Sequence, residues 1–406
     1  MLASGAVFAA PGVPQAPSLV FSEDFQNLAP ATSGTLLTGY TGATGETYTA
    51  DTAWLTACNG LLSSADQPVA GADGQTASCG SQQAWNVTQQ LALVIGTFKG
   101  QAAPATNFAV SAYTSNNPGA NKVEFETVNP IALPSAKRFI AASVDVAAAN
   151  CYRASAPSLQ FYLIDGGSPL AAGGAINGCA GALADMPALG AADAATGSQG
   201  ARVGTYRSGG VLVSAAATGI RMTNANGSGS GNDHAFDNVQ LLDVTPTLDK
   251  SFSPTSLPVN GVSTLTFTVT NTSELGAKAG WSFTDNLPSG LVVASPPAAT
   301  TTCPSSTLTA SAGATSIAVN GNLSESMTSC VINVNVTSAS NGVYANGPDN
   351  IESAGLNPPA VTKVTFGSPG GSSGAAPVPV GSPLVLMLLS ALVAGCAGLW
   401  ARGKRR

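Results

Sequence analysis

Ser263-Thr-Leu-Thr-Phe-Thr-Val-Thr270 sets Leu265, Phe267 and Val269 on one side of an extended chain and threonines on the other. Cys330-Val-Ile-Asn-Val-Asn-Val336 repeats the pattern with Cys330, Ile332, Val334 and Val336. A period of two marks a strand with one face in a core and the other toward water. Cys330 therefore points inward with the apolar set, where Cys303 would meet it. Residues 246–366 carry this alternation and few helix signals, which reads as an immunoglobulin-like β-sandwich.

Upstream, residues 17–245 show the same alternation in shorter pieces. Leu91-Leu93-Ile95, Phe108-Val110-Ala112, Val123-Phe125-Thr127, Ile140-Ala142-Val144, Leu159-Phe161-Leu163 and Val211-Val213 each read as a half-buried strand. Helical periodicity is weak, and the Ala-rich stretch at 180–195 is broken by Pro187 and Gly190. Many short strands without helices imply one large sandwich or barrel. The expected fold is all-β: a large jelly-roll-like sandwich (17–245), an immunoglobulin-like sandwich (246–366), then a single C-terminal transmembrane helix. No internal repeat is evident.

Downstream, Gly367–Ala376 is Gly/Ser-rich and reads as a flexible spacer within a linker and sorting segment at 367–380. The apolar run from Leu384 to Trp400, inside a tail at 381–406, is at the short edge of what spans a bilayer core of about 30 Å. Arg402, Lys404, Arg405 and Arg406 follow it, and positive-inside logic keeps that cluster cytoplasmic. Everything before Leu384 is then expected outside the inner membrane. Residues 1–16 read as a signal-peptide remnant, with Val7 and Ala9 at the −3 and −1 positions of a cleavage site. The basic region that should precede it is missing, so a start codon farther upstream is expected.

Composition fits export. Only 9% of residues are charged, whereas cytosolic enzymes usually carry about 25%. Four of the 15 basic residues lie in the tail, leaving 11 against 21 carboxylates and a net charge of −10 for the rest. That acidity argues against nucleic acid and anionic lipid as partners. Six of the seven cysteines fall outside the apolar run as sequence neighbours: Cys58 with Cys79, Cys151 with Cys179, Cys303 with Cys330. Metal binding is the competing reading, but there is no Cys-x-x-Cys and one histidine, His234. Three disulfides in an oxidising compartment suit the set, nearest-neighbour pairing being a preference among many connectivities. Cys396, within the apolar run, reads as a small filler.

Resemblances extend this reading. Pro246-Thr-Leu-Asp-Lys250-Ser-Phe252-Ser-Pro254, Leu265–Asn271 and above all Phe283-Thr-Asp285-Asn-Leu287-Pro288-Ser-Gly290-Leu291 resemble the DUF11 family of extracellular immunoglobulin-like repeats. The likeness implies a stalk or spacer module. Asp285 could be taken for a ligand site, but in its Phe-x-Asp-x-Leu-Pro-x-Gly-Leu stretch it reads as a strand-end turn cap. Val378-Pro379-Val380 with Pro383, the apolar run and the basic end are similar to the PEP-CTERM and IPTL-CTERM sorting signals of Gram-negative bacteria. That implies an exosortase-like membrane transpeptidase as partner, and tethering in the inner membrane before release to the cell surface. A permanent single-span anchor is the alternative. More loosely, Phe21–Phe25 and Asn232–Val239 resemble the neighbouring first and last strands of carbohydrate-binding jelly rolls. That likeness implies a structural Ca²⁺ on Glu23, Asp233, Asp237 and Asn238; edge polar residues and turn caps are the competing reading.

Catalytic chemistry is mostly missing. His234 alone offers a base for a Ser-His-Asp arrangement. Glu124 and Glu126, two apart on one strand, faintly resemble a laminarinase-type strand, but the proton-donor position is Asn129; a solvated strand face is the plainer reading. For sugar stacking, Tyr40, Tyr48 and Trp54 in a Thr/Gly-rich loop are the surface candidates, beside Trp85, Tyr113, Tyr152 and Tyr162. Trp85 and Phe161 read as core. The expected function is a non-enzymatic, exported surface or matrix protein serving adhesion or polysaccharide binding. A secreted polysaccharide-active enzyme and a purely structural biofilm component are the alternatives.

Non-reducing digestion should recover Cys58–Cys79, Cys151–Cys179 and Cys303–Cys330 as linked peptides, each closed loop contributing about 3 kcal/mol. Six free thiols would refute the oxidising compartment.

Overall fold

A computed structural model describes residues 10–367, apart from 29–33, 57, 68–78, 80–81, 115, 152–154 and 187–199. The expected tail at 381–406 and residues 1–9 of the leader lie outside the described residues. So do Val378, Pro379, Val380, Pro383, Cys396, Arg402, Lys404, Arg405, Arg406 and Tyr152. Among the described residues no helix is long and apolar enough to cross a membrane.

The chain is mostly β, as the alternation predicts. In the large unit two antiparallel sheets face each other. One is built around Arg138–Ala149 and Asp233–Asp243, with Gly200–Arg207 and Ala182–Asp185 outward on one side and Ala109–Ala112, Leu61–Ser63 and Thr35–Leu36 on the other. The second runs Ser168–Asn177, Ser158–Asp165, Ala217–Asn224, Lys122–Thr127, Tyr48–Thr49. The first strand, Ser18–Glu23, pairs with the last, Asp233–Asp243, the neighbour relation expected of a jelly roll. Phe25, Phe125, Val144, Val146, Leu163 and Phe236 form the core between the sheets.

The all-β expectation fails at one element. Leu91, Leu93 and Ile95 are not a strand but part of the α-helix Gln82–Phe98. Over the whole segment the buried positions Ala84, Val87, Leu91 and Ile95 recur every three or four residues, while Leu93 is only half-buried. Period 3.6 beats a three-residue alternation once the window is long enough. The helix covers the outer face of the first sheet, packing on Ala109, Ala147, Ala149, Ala201 and Ala235. Alanines there let the helix approach closely. Trp85 packs with Cys58, Leu61, Cys79 and Ala84.

The second unit is a sandwich whose inward residues follow the predicted alternation: Leu265, Phe267, Val269, Ile332, Val334 and Val336 are buried with Trp281, Phe283, Ile317 and Val319. All three nearest-neighbour disulfides are present, Cys58–Cys79, Cys151–Cys179 and Cys303–Cys330.

No flexible linker separates the two units. Strand Asp233–Asp243 passes through Val244, Thr245 and Pro246 into Thr247–Ser253. Val244 N–H donates to Phe139 O (2.9 Å), and Phe139 N–H donates to Thr245 Oγ1 (2.9 Å). Arg138 grips Asp243 through Nε (2.8 Å) and reaches Asn357 Oδ1 through Nη1 (2.7 Å). Asn357 in turn donates to Pro246 O and accepts from Leu248 N–H. Phe139 and Ala141, on a strand of the first unit, belong to the core of the second. Gly355 sits at φ +69, and a Cβ there would meet the Phe139 ring at 2.5 Å. Only glycine serves. The N-terminal segment joins too: Ser273 N–H donates to Gln15 O (2.8 Å) and Gly12 N–H to Thr270 Oγ1 (2.9 Å). Residues 10–16, which follow the cleavage site expected at Ala9, are thus built into the fold.

Phe139→Ala should cost about 3–5 kcal/mol by opening a cavity across the seam. In scanning calorimetry the single unfolding transition should split into two, one per unit. A single transition with an unchanged midpoint would show the units to be independent of Phe139.

Candidate functional site

Three of the buried polar clusters among the described residues of the large unit hold the expected site residues. The first forms at the start of the chain. Glu23 ends the strand Ser18–Glu23 with its side chain directed into the core. Its Oε1 accepts from Phe25 N–H (2.7 Å) and Tyr40 Oη (3.0 Å), and its Oε2 from Tyr48 Oη (2.5 Å). Burial, then the Glu23 charge, push the Tyr40 hydroxyl well up; burial and the Glu23 hydrogen bond do the same for Tyr48. Both stay neutral donors. Tyr40, Tyr48 and Trp54 are therefore core residues, 2%, 2% and 1% exposed, and not the surface platform expected. The Thr/Gly-rich stretch reads as a loop, but the buried carboxylate needs donors and draws the two rings inward against Phe25 and Phe125. Tyr113 and Tyr162 are half-buried, so no tryptophan or tyrosine among the described residues is exposed.

In the second cluster, Glu124 and His234 meet between the sheets. Glu124 is an extra residue in its strand: Phe125 pairs with Met222 and Val123 with Thr223, leaving Glu124 unopposed. Such a bulge re-aims a side chain. Here it buries Glu124 beside Phe125, with Oε2 2.7 Å from His234 Nε2. Burial opposes the imidazolium, but the charge and hydrogen bond of Glu124 outweigh it and raise the His234 pKa. Glu126 faces outward and holds Arg221 across the strands through two 2.8 Å contacts. The two glutamates thus do not form a solvated face, nor do they converge on one cleft. No local pattern signals the bulge, because the partners of Glu124 are far away in the chain.

The third cluster lies under the helix. Asp237 and Asp145 are directly opposed on neighbouring strands. Asp145 pairs with Lys99, just past the helix end (3.1 Å), and accepts from the Thr205 hydroxyl. Asp237 accepts from Asn107 Nδ2 (3.0 Å) and from Asn238 N–H (2.6 Å). Burial, with the Asp145 charge adding to it, raises Asp237 well above the usual carboxylate range.

These contacts decide the calcium expectation. Glu23 is committed to two tyrosines, Asp233 to Thr114 N–H (2.8 Å) and Asn150 (2.6 Å), and Asp237 to Asn107. No group of three or more His, Cys, Asp or Glu among the described residues could hold a metal. Glu23, Asp233, Asp237 and Asn238 do not converge, so they do not fit the ion. In the second unit, Asp285 is no turn cap: it is fully buried on the strand Lys278–Asn286 beside Lys250. One open groove, of about 440 Å³, lies where the units meet, lined by Lys137, Ser282, Thr284, Thr309, Asn320 and Ser353.

Residues 246–364 match a family described as a domain of unknown function, DUF7933. No match was found among curated proteins. Similar solved structures include the N-terminal domain of the Streptococcus gordonii adhesin Sgo0707, at 10% identity over 64% of this chain and 61% of that one, TM-score 0.28. They also include BcpA, the major pilin subunit of Bacillus cereus (12% identity, 55% and 69% covered, TM-score 0.22), and the collagen adhesin of S. aureus (8%, 64% and 91%, TM-score 0.23). The chain spans about three fifths of the length of the S. gordonii domain. Likenesses this weak say nothing of what the chain binds.

Asp237→Asn tests the third cluster. With its folded pKa raised, Asp237 contributes stability that is fully present below its unfolded value near about 4 and is lost as pH rises through the folded value. Asp237→Asn should therefore gain stability relative to wild type between pH 4 and pH 8, read by chemical denaturation at both. A difference independent of pH would refute the shift.

Proposed function

We propose that the chain is an exported, non-enzymatic surface protein in which the large sandwich is presented on a rigidly joined immunoglobulin-like module, for adhesion or structural support of a matrix. The observation that carries this reading is the set of three disulfides, which suits an oxidising compartment. A net charge of −10 ahead of the tail and a surface of small polar residues support it. The non-enzymatic part is supported by the glutamates: Glu124 is shut between the sheets with His234, and Glu126 is engaged by Arg221.

Sugar stacking has no support, because the three aromatics expected to carry it, Tyr40, Tyr48 and Trp54, are turned inward. Contacts with a partner would run through hydroxyl and amide faces such as the groove beside Lys137. Sorting rests on the tail pattern: Val378–Pro383, the apolar run and Arg402–Arg406 would present the chain to an exosortase-like transpeptidase, which would remove the span. In this scheme the Gly/Ser segment spaces the rigid pair from the membrane.

Labelling intact source cells with a membrane-impermeant amine reagent tests the reading. The protein should be labelled, should lack free thiols at the six paired cysteines, and should yield no Trp400-containing peptide in the surface fraction. Unlabelled protein with reduced cysteines would overturn the proposal; labelled protein retaining Trp400 at full abundance would replace sorting by a permanent anchor.

A further inference from the structure

Strand Thr247–Ser253 puts Leu248, Lys250 and Phe252 on its inward face. A lysine between two core residues is out of place, since lysine is almost never fully buried unless paired. Its side chain has no exposed surface, and neither has that of Asp285, which follows Trp281 and Phe283 on the inward face of Lys278–Asn286. Asn346, fully buried, ends the strand Gly342–Asn346. Three strands from three sheets thus direct an amine, a carboxyl and a carboxamide to one water-free point.

Their order is the informative part. A plain ion pair would set the ammonium on the carboxylate. Here Lys250 Nζ is 2.5 Å from Asn346 Oδ1 and 3.6 Å from Asp285 Oδ1. Asn346 Nδ2 donates to Asp285 Oδ2 at 2.7 Å. The amide orientation is fixed from both sides, because an ammonium only donates and a carboxylate only accepts. Asp285 Oδ1 is buried without a hydrogen-bond partner. The carboxamide carbon therefore lies between a nucleophile and an acid, with the acid on the nitrogen that would leave.

We propose that Lys250 and Asn346 are joined by an intramolecular isopeptide bond, formed by the folded domain itself with Asp285 as the acid–base group. Lys250 passes a proton to Asp285. The freed Nζ lone pair attacks Asn346 Cγ, and a new Nζ–Cγ bond forms. Asp285 protonates Nδ2, the Cγ–Nδ2 bond breaks, and ammonia leaves. Of the three protons on the original ammonium, one stays on the new amide, one departs with ammonia and one is held by Asp285. No oxidant, metal or co-reactant takes part.

The surroundings favour the neutral pair that starts the reaction. Burial lowers Lys250 to about 8 against the pull of Asp285, and burial raises Asp285 against the opposing pull of Lys250 and Asn346. Desolvation is a known way to activate a lysine amine, and fixed proximity replaces the encounter that an amide in water would need. Lys278 supplies an internal contrast. It too is buried, but it contacts Glu274 directly, and the nearby Asn271 amide nitrogen is held by the Gly276 and Met327 carbonyls, not by an acid. It lacks the geometry for transfer.

The bond would join residues 96 apart and tie the strand that enters from the seam to the far side of the same domain. Tryptic digestion of the reduced full chain tests it. The peptides carrying Lys250 and Asn346 should appear linked, about 17 Da lighter than their sum, with no cleavage after Lys250. Lys250→Met and Asp285→Asn, which keep the volume of the site, should release two separate peptides; Lys278→Ala should leave the link intact. Separate peptides from the wild-type chain, with Lys250 cleaved, would overturn the proposal and leave an ordinary buried ion pair. A link that persists in Asp285→Asn would overturn the role of Asp285.

Discussion

The strand Arg138–Ala149 has no face toward water, and most of the molecule is arranged by that constraint. Ile140, Ala142, Val144 and Val146 look into the core between the sheets, Ala147 and Ala149 lie under the helix, and Phe139 and Ala141 reach into the second unit. One backbone thus borders three cores. Its small side chains follow from this, because a helix and a second sheet must both come close. Its single buried charge, Asp145, is tolerable only because Lys99 and Thr205 are brought to it from other elements. Moving this strand would disturb the opposing sheet, the helix and the seam together.

The parts of the fold legible in the sequence are those decided locally. Leu265–Val269 and Cys330–Val336 alternate cleanly because each strand has one core face. Neighbouring cysteines pair because each joins segments close in the chain. What was not legible depends on distant partners. Tyr40 and Tyr48 look like loop aromatics until Glu23 is known to lie beneath them. Glu124 looks like half of a solvated pair until a bulge turns it toward His234. Asp285 looks like a turn residue until Lys250 and Asn346 are seen beside it. The helix at 82–98 is a different failure. Its period was present, but Leu91-Leu93-Ile95 mimics a strand when read alone. Buried polar residues, as a class, are where pattern reading fails, since their placement is set by a partner and not by hydropathy.

The seam also changes what counts as a unit. Arg138, Asp243, Thr245 and Asn357 replace a linker with a lattice of hydrogen bonds, and Phe139 is shared between cores. Two sandwiches so joined hold one orientation. A face on either is therefore displayed in a fixed direction relative to the other.

The lodging of residues 12–15 against the second sandwich has a consequence for the making of the protein. Gly12 finds its partner in Thr270, 258 positions later. During synthesis this segment emerges early but has nowhere to dock until the strand Val262–Thr270 has also emerged. Closure of the structure is therefore one of its last events, and contacts of such long range slow the final assembly. Until that strand is made, the first residues of the fold stay unpaired, however complete the large unit has become.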